Sequence, residues 1–130
     1  RIPLTYSASA PDTFGTANEL SIGSVGAMGC SRAGNFAVAN ADLVLVLGSR
    51  LNSLTTGTDF CKFAREANVV VVDIDAHEHT KPTVKIDEFI QADLADFLNR
   101  EFEHSVKKFT EVVWQSFFLR PKRELMSRYY

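Results

Sequence analysis

Two stretches of this chain leave little choice of fold. Asp42-Leu43-Val44-Leu45-Val46-Leu47-Gly48 and Asn68-Val69-Val70-Val71-Val72-Asp73-Ile74-Asp75 are unbroken apolar runs bounded by polar residues or Gly. A strand with one wet face alternates apolar and polar residues. A strand that is apolar throughout must be covered on both faces, as in a parallel sheet between layers of helix. Helical stretches lie between and after these runs. Ser31 to Asn40 carries Ala33, Phe36, Ala37 and Ala39, with Ser31 placed as an N-cap. Thr58 to Glu66 is a shorter candidate. Ala92 to Phe109 is the longest, with Leu94, Phe97, Leu98, Phe102, Val106 and Phe109 recurring at helical spacing. Ile2 to Tyr6 and Phe89 to Gln91 read as further short strands. The expected fold is a doubly wound, mostly parallel, Rossmann-like sheet in three α/β/α layers, built from βαβ units with right-handed crossovers.

The chain has 130 residues, enough for one domain with a real core. Its net charge of −2 argues against nucleic acid or an anionic membrane as the main partner, because both select a basic face. No apolar run reaches the roughly 20 residues of a membrane-spanning helix, and Arg1-Ile2-Pro3 does not read as a secretory leader. A first residue other than Met fits an internal piece of a longer chain. Cys30 and Cys61 lack C-x-x-C spacing and read as reduced thiols in a cytoplasmic setting. From Thr110 to Tyr130 the character changes to an aromatic cluster, Pro121 and a basic helix-prone tail. The expected boundaries are a domain over 1–109 and an arm or linker over 110–130.

Residues able to bear chemistry fall where doubly wound folds present them, at the carboxyl ends of strands. Gly23, Gly26 and Gly29 stand three apart just before the helix that starts near Ser31. They could bring a phosphate to the helix N-terminus, or only make a turn and let the helix sit close to the sheet. Gly48-Ser49-Arg50 follows the next strand; Arg50 could clamp an anion bidentately or pair with a neighbouring acid. Asp73, Ile74 and Asp75 end the strand after that. An acid there suits the hydroxyls of a ribose, although Asp75 could equally cap the turn into Ala76. His77 and His79 have an i, i+2 spacing that suits no helical metal pair and read as a solvated loop. His104 reads as a surface residue of the long helix. No catalytic or metal-binding constellation can be assembled from the sequence.

Those same residues carry a resemblance. Leu20-Ser21-Ile22-Gly23-Ser24-Val25-Gly26-Ala27-Met28-Gly29, the run from Ala33 to Leu51, and Val72-Asp73-Ile74-Asp75 follow in the order seen in one family. They closely resemble the central domain of thiamine-diphosphate-dependent enzymes of the acetolactate synthase type, colinearly from Ile2 to Leu98. The resemblance implies a parent enzyme of three α/β domains acting on 2-keto acids, as a transferase or lyase, and forming a homo-oligomer. It also implies flanking pyrimidine-binding and diphosphate-binding domains, which would hold thiamine diphosphate and Mg²⁺ through a glutamate and a Gly-Asp-Gly motif. This chain contains no Gly-Asp-Gly, and the family's middle domain carries no catalytic residue.

In some members the middle domain binds FAD, in oxalyl-CoA decarboxylase relatives ADP, and in many nothing. The positions that the resemblance assigns to a nucleotide are Gly26, Gly29, Gly48, Ser49, Arg50, Asp73, Ile74, Asp75 and Asp93. The flavin pattern is partial. Arg50 is kept, but Asn52, Ser53 and Leu54 replace two acids and a second Arg, Met28-Gly29 replaces His-Gly, and Ala92-Asp93 replaces Gly-Asp. The family's central domain also opens with a strand and helix ahead of the segment matching Ile2 to Tyr6. In the order 3-2-1-4-5-6 that strand lies mid-sheet, so its absence should leave strand edges unpaired, to be covered by another chain, a rearranged terminus or the aromatic tail. The reading from a different class is a stand-alone FAD-, NAD- or ADP-binding module.

Overall fold

The computed structural model describes residues 2–101, apart from 12 and 14–16. Among the described residues five short strands and a few helical turns follow one another in α/β order: β1 (Leu4–Ser7), β2 (Ser21–Val25), α1 (Arg32–Ala39), β3 (Leu43–Leu47), α2 (Ser53–Thr56), β4 (Asn68–Asp73), β5 (Glu88–Gln91) and α3 (Leu94–Asp96). Tight 3₁₀ turns at Phe60–Lys62 and Ala76–Thr80 sit on either side of β4, and a π-type turn, Phe97–Glu101, continues α3.

All strand pairs are parallel, in the orders β1-β2 and β3-β4-β5. This is the parallel, Rossmann-like α/β architecture that the unbroken apolar runs require. β4 is hydrogen-bonded on both sides, and Val71 and Val72 have no solvent exposure at all. Among the described residues the strands form two sheets rather than one, and the division falls between β1-β2 and β3. That is where the resemblance places a further strand. One apolar cluster nevertheless serves both sheets: Val25 of β2 and Val38 of α1 pack with Val46, Leu51, Ala64, Val69, Val71 and Val84.

Local chemistry explains the element ends. Ser31, in extended conformation, caps α1 by accepting from the Gly34 N–H at 2.8 Å. Asn40 closes the helix, its Nδ2 donating to the Phe36 carbonyl at 2.8 Å. Gly34 lets α1 lie directly on the backbone of β2, because a Cβ there would collide with the Ser24 carbonyl.

Several expectations are corrected. Ser21–Val25 is a strand, so Gly23 belongs to β2 and the turn begins at Gly26. Parallel pairing to β1 makes it one, a non-local cause that a short Gly- and Ser-containing segment does not advertise. The helix expected over 58–66 reduces to the 3₁₀ turn Phe60–Lys62, while a helical turn forms earlier at Ser53–Thr56. Asn52 starts that turn by accepting from the Leu54 and Thr55 N–H groups, and Gly57, at φ 82°, ends it. The long helix expected over 92–109 begins as α3, with Phe97 only 2% exposed. Residues 102–109, with His104, and the 110–130 arm lie outside the described residues.

Candidate functional site

The carboxyl ends of β2, β3, β4 and β5 carry the residues singled out by sequence. At the end of β2 the chain turns through Gly26, whose N–H donates to Asn35 Oδ1 at 2.9 Å while its carbonyl accepts from Asn35 Nδ2 at 2.9 Å. The next N–H, of Ala27, donates to the Leu54 carbonyl at 2.8 Å. Gly26 tolerates no side chain: a Cβ would come within 2.8 Å of both Cys30 Sγ and the Leu54 carbonyl oxygen. The turn is therefore locked to α1 by Asn35 and to α2 by Ala27, and its first two N–H groups are already used. Gly29 is exposed at φ 67° with open space where a Cβ would point.

Beyond β3, Gly48 takes φ 58° and Leu51 φ 47°. A left-handed Leu is strained by about 1–2 kcal/mol, and burial of its side chain in the core, 4% exposed, offsets this. The strained turn leaves Arg50 exposed, with no hydrogen bond or ion pair to another described residue. Ser49 Oγ accepts from the Leu51 N–H at 3.5 Å, a long contact.

At the end of β4, Asp73 Oδ1 accepts from the Asp75 N–H at 2.9 Å. The Asp75 carboxylate in turn accepts from the His77 N–H at 3.0 Å, which caps the 76–80 turn. The capping role weighed for Asp75 is thus present in the structure. Ile74 is 66% exposed, and its carbonyl accepts from Gln91 Nε2 at 3.2 Å. Asp93 caps α3, its Oδ1 accepting from Ala95 and Asp96. The solvated loop expected at His77 and His79 is corrected in part: His77 is exposed, but the His79 side chain is only 4% exposed and faces Asp73.

A cavity of about 230 Å³ opens beside the Gly26 turn, lined among others by Val25, Asn35, Thr55, Gly57, Lys62 and Phe63. Of the nucleotide positions picked from sequence only Gly26 lines it; Arg50, Asp73, Asp75 and Asp93 do not. Thr55 and Lys62 were missed, and only Gly57 carried a local signal, as a turn residue. Lys62 is paired with Asp59 at 3.0 Å. Among the described residues no three His, Cys, Asp or Glu side chains converge to hold a metal ion.

A family model described as the central domain of thiamine pyrophosphate enzymes matches residues 1–100. The chain belongs to this family. An acetolactate synthase large subunit from Cyanidium caldarium is 38% identical over 78 residues, 60% of this chain and 13% of that protein. One from Parasynechococcus marenigrum is 33% identical over 111 residues, 85% of this chain and 18% of the relative. A probable acetolactate synthase large subunit from Methanocaldococcus jannaschii is 33% identical over 78 residues, again 60% and 13%. The central domain thus spans less than a fifth of the length of these relatives.

The residues of this central domain fit a nucleotide unevenly. The exposed Arg50 presents a guanidinium able to meet an anion, whereas Asp73 and Asp75 each have one carboxylate oxygen engaged by a backbone N–H. The glycine turn does not offer its leading N–H donors, since Asn35 and Leu54 hold them.

Proposed function

We propose that the chain is the non-catalytic central domain of an acetolactate synthase-like, thiamine-diphosphate-dependent carboligase or decarboxylase of 2-keto acids. The observation that supports this is the family match over residues 1–100, with acetolactate synthase large subunits among the relatives. In this reading thiamine diphosphate and Mg²⁺ are held by flanking pyrimidine-binding and diphosphate-binding domains, in a cytoplasmic homo-oligomer. Thiamine diphosphate would supply the carbanion chemistry. The central domain would supply rigid surfaces against which those domains are held. The finer proposal is a nucleotide, FAD or ADP, across the ends of β3 and β4, with Arg50 on the diphosphate and Asp73 and Asp75 on the ribose.

The purified chain, given thiamine diphosphate, Mg²⁺ and pyruvate, is expected to form no acetolactate. Turnover above that of a buffer control would reject the non-catalytic reading. Co-expression with catalytic domains of an acetolactate synthase should yield a stable complex on size exclusion, and persistent separation would count against the domain assignment. Titration with FAD and with ADP, followed by flavin fluorescence and calorimetry, tests the cleft. Saturable binding weakened by Arg50→Ala supports it, and no heat and no quenching removes it.

A further inference from the structure

His79 is an anomaly in an otherwise solvated turn. Its side chain is 4% exposed, yet Nε2 has no hydrogen-bond partner. The ring packs beside Phe89 of β5, 5.2 Å between centroids. Nε2 stands 3.6 Å from Oδ2 of Asp73, whose own side chain is 12% exposed. The other oxygen, Oδ1, is held by the Asp75 N–H. Charged neighbours among the described residues are few. β4 contributes Asp73 and β5 the uncharged Phe89. On the turn itself, Asp75 is engaged by the His77 N–H, and Glu78 by Lys81 Nζ at 2.7 Å. Asp73 is the carboxylate within ion-pair distance of the imidazole among the described residues.

A buried ring nitrogen without a partner is costly, and 3.6 Å exceeds a hydrogen bond. A short closure lets Nε2–H donate to Oδ2, and the bond is stronger when the imidazole carries a second proton, because it is then charge-assisted. Imidazole is the side chain whose charge ordinarily changes near neutral pH.

We propose that His79 and Asp73 form a proton-dependent latch. A proton taken from solvent turns the contact into an ion pair that pins the 76–80 turn to the end of β4 and occupies Oδ2. Loss of that proton to solvent removes the ion pair and weakens the hold on Oδ2, which then accepts more readily from a hydroxyl in the cleft. The pinning stands on the geometry alone, whereas its effect on a ligand rests on the nucleotide reading of the β4 end. His79 is a positioning residue for Asp73.

Amide hydrogen exchange of the full chain at about pH 5.5 and about pH 7.5 tests the latch, with rates corrected for intrinsic pH dependence. Protection of residues 76–80, relative to β4, should rise several-fold on acidification in the unmodified chain. The rise should vanish in His79→Gln and in Asp73→Asn. No rise in the unmodified chain, or a rise that survives Asp73→Asn, overturns the latch, and the first outcome is readable even if a variant fails to fold. A parallel titration with ADP should show weaker binding at the lower pH, with the pH effect lost in His79→Gln. ADP binding at neither pH overturns the cleft reading and the ligand half of the proposal, while the exchange data still decide the latch.

Discussion

Gly34 shows how one missing methyl group shapes this domain. Its Cβ would overlap the Ser24 carbonyl, a backbone atom of β2 that cannot swing aside. Gly34→Ala must therefore lift α1 off the strand, at an expected cost of about 1–3 kcal/mol. A lowered denaturant midpoint with an unchanged m-value would register it. At the opposite end of β4 from the candidate cleft, Asp87 Oδ2 accepts from the Val69 N–H at 2.9 Å. The hydrogen bond from Lys85 and then the Val69 N–H hold its carboxyl below the usual carboxylate range, and slight desolvation opposes them. A carboxylate lowered on folding adds stability above its unfolded value, and that stability is lost as pH falls through its folded value. The melting temperature of the unmodified chain should therefore drop more steeply below about pH 4 than that of Asp87→Asn, in melts across the acid range.

Among the elements, the short helical turns depend on their caps because they are too brief to be stable from propensity. Ser31, Asn52, Asp75 and Asp93 each accept backbone N–H bonds at the start of a turn or helix. Ser31→Ala is expected to cost about 1 kcal/mol. Circular dichroism should show the same helix content before melting and a lower transition temperature. The cap at Ser31 was legible because Ser precedes an apolar helical period. Asn52 and Asp93 stand instead at positions of the flavin pattern. Their capping depends on helical turns too short to show a period, and α2 has only four residues.

At the scale of the whole molecule, stability should be uneven. β4 is paired on both sides and buried, whereas β1-β2 is a separate two-stranded sheet joined to the rest through α1, the Gly26 turn and the shared core. Amides of Val70, Val71 and Val72 should exchange slowest and those of β1 and β2 much earlier, in native-state hydrogen exchange. Uniform protection across both sheets would contradict this division. If a further strand lies between β1 and β3 in the assembled enzyme, protection of both edges should rise there.

Pattern along the chain suffices for the parallel α/β architecture, since Leu43–Leu47 and Asn68–Asp73 are apolar on both faces and a covered parallel sheet accommodates that. It also determined α1 and its cap, which depend on neighbours within one helical turn. Only the folded chain shows that Ser21–Val25 is a strand, that Asn35 holds the Gly26 turn, and that His79 is buried against Asp73. Each of these joins residues whose contact depends on how the backbone between them folds. Strand pairing, a close helix approach and a buried imidazole leave no periodic trace, because their energies come from partners that only the folded chain brings within a few ångströms.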